Sequence, residues 1–289
     1  MKELQLVEEY LKEQHTPQSV KSYLIAIESF LCSNPRAKDY TYRDIVGYLD
    51  GLKKIYQNDS TRSTQLAAIK KYYDFLLQTK RRDDHPCRAL YIRVQNKAIE
   101  LQRLFSSEEL ELLLQRENRY RLLDLRNKVL ISFLIYQGLR SEEICEIRVK
   151  DIDLENGFIT VRSTHLTNRR LMELKSKQIL LMNDYLIKSR PQLLKCDTNK
   201  LLVTKKGIAI SVETINRILR PLQGLFLDRS LNASTIRQSV IRNWLGEKNY
   251  PLADVQLLAG HKYPSSTEKY LGEDLDDKRK LINQFHPLG

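Results

Sequence analysis

Residues 138–147 read GLRSEEICEI and provide the starting point for interpreting this sequence. An apolar run at residues 125–137 precedes them and predicts a buried helix that ends at Gly138. Arg140 lies two residues after Gly138, close to the end of that predicted helix. Alone this is weak evidence of a site, because an arginine beside a helix end is usually a surface residue that interacts with the helix dipole.

Two later strings strengthen the interpretation through their order and spacing. STIR at residues 234–237 contains Arg237, and LLAGH at residues 257–261 ends in His261. Tyr270 follows that histidine by nine residues. A lone histidine is more often a hydrogen-bonded structural residue than a catalytic one, so the four residues are informative only as a set.

In this combination the sequence resembles the tyrosine recombinase, or phage-integrase-like, family. The family pattern runs Gly-Leu-Arg-x-x-Glu, a hairpin lysine, His-x-x-Arg, Leu-x-Gly-His and a tyrosine nine residues after that histidine. Arg140 and Glu143 match the first arginine and the glutamate. Arg237, His261 and Tyr270 match the second arginine, the histidine and the tyrosine. The resemblance covers essentially the whole chain, because the helical first third is similar to the family's core-binding domain.

The residue types suit phosphoryl transfer. A phosphodiester is anionic, and arginine side chains can grip its nonbridging oxygens and stabilise the charge that builds in the transition state. The resemblance assigns this role to Arg140 and Arg237, a hydrogen bond to the phosphate to His261, and attack on phosphorus to Tyr270. It implies a 3′-phosphotyrosyl link, a free 5′-hydroxyl and rejoining without ATP. Tyr263 is a rival nucleophile that does not match the family spacing.

The sequence departs from the family pattern at two positions. Ser234 stands where the family has the histidine of His-x-x-Arg, and the hairpin lysine is absent from THLTNRR at residues 164–170. Alignment from the preceding strand places Thr164 at the lysine position, whereas alignment from the following strand places His165 there. His165 is the candidate acid, because histidine is the residue type whose unperturbed pKa lies near neutrality. Arg169 and Arg170 are nearby cations that are predicted to contact DNA. They are poor candidates for the acid, because arginine does not readily release a proton.

Composition supports a nucleic-acid partner and sets limits on the class of protein. Lysine and arginine number 48 against 36 acidic residues, a formal net charge of +12 that favours a polyanionic partner. The longest apolar stretch, residues 129–136, is too short to cross a membrane, and the acidic start argues against a signal peptide. Four widely separated cysteines indicate neither a disulfide framework nor a zinc site. We expect a cytoplasmic, bacterial-type, nucleoid-associated protein with no cofactor and no metal.

The chain is predicted to be mainly α-helical and to contain two domains. Residues 1–95 are predicted to form a helical domain, which the resemblance implies is a SAM-like core-binding domain, and residues 96–103 a polar linker. Residues 104–289 form a mixed α-helical catalytic domain with a small antiparallel β-sheet. In that domain FITVRS at residues 158–163 and LMEL at residues 171–174 predict a β-hairpin.

Smaller elements are predicted from capping residues and local patterns. Thr16 before Pro17 and Ser106 before Glu109 predict two helix starts. LLVT at residues 201–204 predicts a further short strand.

The last part of the chain carries the nucleophile and a tail. Residues 264–267 predict the start of a helix with Tyr270 on its first turns. Leu281, Ile282 and Phe285 then form a small apolar face. The resemblance implies that this tail docks on a neighbouring subunit.

These observations predict a site-specific DNA recombinase. The resemblance implies that two domains clamp double-stranded DNA at an inverted-repeat site. It also implies a homodimer on each site and a homotetramer in the synapse, with strand exchange through a Holliday junction and accessory proteins as further partners. Alternatives are a mobile-element integrase or transposase, a topoisomerase-like relaxing enzyme, and a DNA-binding architectural protein that has lost catalysis.

Overall fold

The computed structural model describes residues 2–94, 99–117 and 120–271, and the apolar tail predicted to dock on another subunit lies outside them. The chain divides into two compact units, Met1–Lys97 and Ala98–Gly289. Helices dominate both units, and the second also contains one small antiparallel sheet. The predicted mainly α-helical class is therefore confirmed. No helix within the described residues has the length and apolar character needed to cross a membrane.

The described part of the first unit contains four α-helices and a short 3-10 turn. Its helices are α1 Lys2–Gln14, α2 Pro17–Ser33, α3 Tyr42–Ile55 and α4 Asp59–Gln78. Thr16 caps α2 by accepting a hydrogen bond from the Ser19 amide, as its position before Pro17 predicts. Tyr72 and Tyr73 of α4 are fully buried, and the Tyr73 hydroxyl donates to the Ala37 carbonyl at 2.6 Å. The tyrosines of this helix therefore form core and do not provide a surface for base stacking.

The second unit is built around α6, whose residues 129–135 are all buried. The described helices of this unit are α5 Ser107–Gln115, α6 Arg121–Tyr136, α7 Ser141–Glu146, α8 Ser176–Asp184, α9 Arg190–Leu193, α10 Val212–Leu219, α11 Ala233–Leu245, α12 Leu252–Ala259 and α13 Ser265–Glu268. A capping box of Ser106 and Glu109 begins α5, as predicted. Between α8 and α9 the segment Tyr185–Ser189 winds as a π-helix.

The sheet is a three-stranded antiparallel meander. Its strands are β1 Ile152–Asp153, β2 Phe158–Val161 and β3 Arg170–Glu173, so the predicted hairpin is present and gains a short first strand. Val161 pairs with Arg170, and Ile159 pairs with Met172. These four residues are buried, because alternate side chains of a strand share one face. The register therefore directs the Arg170 side chain inward.

The strand predicted at LLVT is wrong. Only Val203 forms a β-bridge there, with Ala209, and a tight turn closed by the Gly207 amide and Thr204 carbonyl lies between them. The Leu201 carbonyl instead accepts hydrogen bonds from the Tyr185 hydroxyl and from Arg190. Backbone pairing with residues 208–210 is limited to two hydrogen bonds, from the Thr204 amide to the Ile208 carbonyl at 2.7 Å and from the Ile210 amide to the Leu202 carbonyl at 3.2 Å, which is too short a ladder to form a strand.

Candidate active site

The first candidate arginine, Arg140, occupies the N-cap position of α7. Its amide donates to Glu143 Oε2 at 2.9 Å, which orients the first turn of that helix. The side chain is half-buried, and its Nε has no hydrogen-bond partner among the described residues. A buried donor without a partner is costly unless a ligand satisfies it, so the Arg140 guanidinium is available to bind an anion.

Glu143 is the centre of a buried network that joins three segments. It accepts two hydrogen bonds from the Arg170 guanidinium, at 2.7 and 2.9 Å, and one from the Thr167 hydroxyl at 2.6 Å. Burial acts to raise the pKa of Glu143, but the charge and hydrogen bonds of Arg170, with those of Thr167 and the Arg140 amide, outweigh it and the pKa is lowered. The carboxylate is therefore ionised and ties the hairpin to α7.

This network changes the interpretation of the two hairpin arginines. The Arg170 side chain is only 5% exposed and is paired with Glu143, so it does not lie on a surface open to DNA. Arg170 instead holds the Glu143 carboxylate in position. Arg169 is exposed, and its predicted role at DNA stays a prediction.

Arg237 lies in α11 and fixes two backbone segments at once. Its guanidinium donates to the Gly138 carbonyl at 2.7 Å and to the Ala259 carbonyl at 2.6 Å. It also lies 4.0 Å from Glu143. Burial, reinforced by the nearby charge of Arg140, lowers the pKa of Arg237 to about 10, which still leaves it charged at neutral pH.

Ser234, at the family's histidine position, lies one turn before Arg237 and is exposed. Residues three apart lie on the same side of a helix, so the Ser234 hydroxyl is on the side of α11 that carries the arginine.

His261 follows α12 and a left-handed Gly260, whose φ of 67° sets the turn. The imidazole is 5% exposed, and its Nδ1 lies 2.8 Å from the Thr267 hydroxyl. Burial, with the positive charges of Arg237 and Arg140 as smaller causes, lowers the pKa of His261 to about 4. The ring is therefore neutral at physiological pH.

Tyr270 lies beside His261, and the two rings are nearly parallel at 13° with centroids 6.4 Å apart. The side chain is 8% exposed. Burial raises the pKa of Tyr270, while Arg237 and Arg140 act in the opposite direction. The expectation that α13 carries this residue is wrong, because α13 ends at Glu268 and Tyr270 lies in the turn that follows.

Tyr270 is held in that turn by its backbone. Its amide donates to the Thr267 carbonyl at 3.0 Å. The rival tyrosine, Tyr263, is 70% exposed.

The hairpin ends in a tight turn over residues 164–167, where the Thr164 amide donates to the Thr167 carbonyl at 2.9 Å. The Thr164 hydroxyl lies 2.9 Å from that of Thr167, so the Thr164 side chain forms a hydrogen bond within the turn. The neighbouring His165 is exposed, and its carbonyl accepts a hydrogen bond from Lys262 Nζ at 2.9 Å. The sequence did not indicate Thr167 or Lys262 as site residues. Thr167 contacts Thr164, and Lys262 contacts His165.

The site as a whole favours an anion. Within the described residues, the guanidiniums of Arg170 and Arg237 lie next to the Glu143 carboxylate and the charge of Arg140 acts on Arg237, so positive charge is in excess. No group of three side chains able to hold a metal ion occurs in the described parts of the chain. The excess of positive charge suits the arrangement to bind a phosphodiester beside a tyrosine hydroxyl.

Comparisons with known proteins identify the family of this chain. The model of the phage integrase family matches residues 103–276. The tyrosine recombinase XerC of Pelotomaculum thermopropionicum is 28% identical over 257 residues, covering 86% of this chain and 82% of that protein. The tyrosine recombinase XerD of Halalkalibacterium halodurans is 26% identical over 254 residues, covering 87% and 83%.

Solved structures show the same fold. The XerH site-specific recombinase bound to difH substrate, in a pre-cleavage complex, matches with a TM-score of 0.69 and 21% identity over 91% of this chain and 79% of that one. The Tn1549 transposon integrase in complex with a circular intermediate DNA matches with a TM-score of 0.67 and 13% identity, covering 98% and 99%.

Proposed function

The chain belongs to the phage integrase family and is a tyrosine-type site-specific DNA recombinase, and we propose that Tyr270 is its nucleophile. In this proposal the Tyr270 hydroxyl oxygen attacks phosphorus and loses its proton to water. The bond from phosphorus to the 5′-oxygen breaks, which leaves a 3′-phosphotyrosyl link and a 5′-hydroxyl. Attack by a 5′-hydroxyl from the partner strand reverses the step, so no external energy source is required.

The surrounding residues are proposed to stabilise the transition state. The Arg140 guanidinium, with its unpartnered Nε, would grip a nonbridging oxygen, and Arg237 would add a fixed positive charge behind it. The neutral His261 would contribute a hydrogen bond to the phosphate. Ser234 is proposed to contact the phosphate from the start of α11, a weaker role than an imidazole would have.

One observation carries the proposal: the buried Tyr270 ring lies against His261, within the electrostatic reach of both Arg140 and Arg237. A tyrosine that only filled the core would not need two arginines beside it. Since a phenol ordinarily titrates near pH 10, the positive charge also assists the loss of its proton.

The experiment is covalent trapping on a suicide duplex nicked next to the cleavage site. The wild-type chain should form a 3′-linked adduct, and Tyr270→Phe should form none while retaining DNA affinity within about threefold, because only a hydroxyl is lost. Tyr263→Phe is the matched control and should form the adduct normally. An adduct in Tyr270→Phe that disappears in Tyr263→Phe would move the nucleophile to Tyr263.

The partner is DNA, and the finer arrangement is also proposed. Two protomers would bind an inverted-repeat site and four would form the synapse, where strands exchange through a Holliday junction. Sizing the Tyr270→Phe chain on one site and on paired sites tests this stoichiometry. Joining to a second duplex distinguishes a recombinase from a relaxing enzyme, and the absence of any adduct would favour an architectural DNA-binding protein.

A further inference from the structure

Cleavage requires a proton donor that Arg140, Arg237 and His261 do not supply. When the bond to the 5′-oxygen breaks, that oxygen must gain a proton to leave as a hydroxyl. The guanidiniums of Arg140 and Arg237 are poor acids. His261 has a pKa of about 4, so roughly one molecule in a thousand carries the extra proton at pH 7.

The hairpin turn packs directly against the turn that carries His261. The Asn168 amide donates to the Gly260 carbonyl at 2.9 Å, and Thr167 forms an antiparallel bridge with His261. Both of the latter residues are buried. Whatever lies at the tip of this hairpin is therefore held beside the catalytic histidine.

Lys262 brings an ammonium group to that tip. It is the residue after His261, its side chain is exposed, and its Nζ donates to the His165 carbonyl at 2.9 Å. An ammonium group has three donors and can release a proton, whereas a guanidinium cannot. The tip thus has a lysine nitrogen although no lysine occurs in the hairpin sequence itself.

We propose that Lys262 is a further catalytic residue, which protonates the leaving 5′-oxygen from the tip of the hairpin. The inference rests on the proposed attack by Tyr270. As the bond from phosphorus to oxygen breaks, a proton moves from Nζ to the 5′-oxygen, which leaves a neutral amine and a 5′-hydroxyl. During rejoining the amine takes the proton back from the attacking hydroxyl. In this proposal Lys262, in the turn after α12, takes the place of the hairpin lysine of the family pattern.

A substrate with sulfur in place of the bridging 5′-oxygen tests this role, because a thiolate leaves without needing a proton. On ordinary DNA, Lys262→Ala should cleave about 100-fold to 10,000-fold more slowly than the wild-type chain. On the sulfur substrate it should come within about tenfold of the wild-type rate. Lys262→Arg keeps the positive charge but not the acid, so it should be slow on ordinary DNA and active on sulfur.

Three controls make the result decisive. Lys150→Ala, which removes another exposed lysine of the same unit, should cleave both substrates normally. Tyr270→Phe should form no adduct on either substrate, and an adduct there would overturn the nucleophile assignment independently of Lys262. His165→Ala tests the rival candidate acid, and on ordinary DNA it should be slowed less than Lys262→Ala, because only the His165 carbonyl contacts Lys262.

Three outcomes would overturn the proposal, two of them for Lys262→Ala and one for His165→Ala. Lys262→Ala could cleave ordinary DNA within threefold of wild type, or it could bind DNA normally and stay inactive on sulfur. If His165→Ala were instead the variant that is slow on oxygen and active on sulfur, the acid would be His165. Urea unfolding of each variant shows whether a loss of rate comes from a loss of structure.

Discussion

Replacing Arg170 with methionine tests the buried network directly. The Arg170 side chain is 5% exposed and the Glu143 side chain is completely buried, and the two share a bidentate ion pair at 2.7 and 2.9 Å. Methionine keeps most of the side-chain length and removes the charge. The Glu143 carboxylate then remains in the interior with the Thr167 hydroxyl and the Arg140 amide as its hydrogen-bond donors.

The expected cost follows from the desolvation of that carboxylate. Removing one partner of a buried ion pair typically lowers the free energy of unfolding by about 3–5 kcal/mol. Arg237 lies 4.0 Å from Glu143 and retains part of the compensation, so we expect the lower end, about 3 kcal/mol. For a unit of this size that corresponds to a decrease in Tm of about 6–12 °C.

The assay is urea unfolding of the full chain at pH 7, combined with a double-mutant cycle. Glu143→Gln alone should also destabilise, but Arg170→Met with Glu143→Gln should lose at least about 1 kcal/mol less than the sum of the two, because neither charge is left unpaired. Arg169→Met, next to it and exposed, should stay within about 0.5 kcal/mol of wild type.

The pH dependence of the cycle has a definite sign. The pKa of Glu143 is lowered in the folded chain, so its ion pair contributes stability above pH 4.5 and loses it as the pH falls through the folded pKa. The difference between wild type and Arg170→Met should therefore shrink towards acid pH. An additive cycle, or a loss under 1 kcal/mol for Arg170→Met at pH 7, would refute the reasoning.

Three further outcomes are expected. Gly260→Ala should lower the cleavage rate at least tenfold, because φ is 67° and the new Cβ would lie 2.6 Å from an Arg170 guanidinium nitrogen. Gly157→Ala is the control and should cleave normally, because its φ is similar at 73° but its new Cβ would have no contact closer than 3.4 Å. As the pH falls from 6.5 to 4, the unfolded chain binds a proton at His261 that the folded chain does not, because the folded pKa is about 4. The free energy of unfolding measured in urea should therefore decrease by up to about 3 kcal/mol over this range. His261→Gln should abolish that decrease. Adduct formation should accelerate roughly tenfold per pH unit between pH 6 and 8, since burial raises the pKa of Tyr270, and a flat profile in stopped reactions would contradict this.

The features that could be predicted from the sequence depend on neighbouring residues. The Thr16 cap and the box formed by Ser106 and Glu109 each join groups three residues apart. Their hydrogen bonds form within one turn of helix and depend little on the rest of the fold. The same holds for the alternation of residues 158–161, which predicted the hairpin.

The burial of Arg170 could not be predicted in this way, because its partner is 27 residues distant. Two adjacent arginines in a hairpin suggest a DNA contact, and only the strand register distinguishes them by placing Arg170 with Met172 on the inner face. The alternation Arg-Leu-Met-Glu was the available signal. Lys262 gave no comparable signal, since its contact with the hairpin depends on how two distant turns pack.

The same contacts explain how the site keeps its geometry before DNA binds. Arg237 connects the carbonyl that precedes α7 with the one that ends α12, and Glu143 connects α7 with the hairpin. The three segments that present Arg140, His261 and the hairpin tip are thus joined through buried charges. Movement of any one segment would break a desolvated hydrogen bond, which is costly. Loss of Arg237 would therefore remove both the charge that we propose to act on the phosphate and the connection between two segments, so its effect on cleavage should exceed that of losing Arg140.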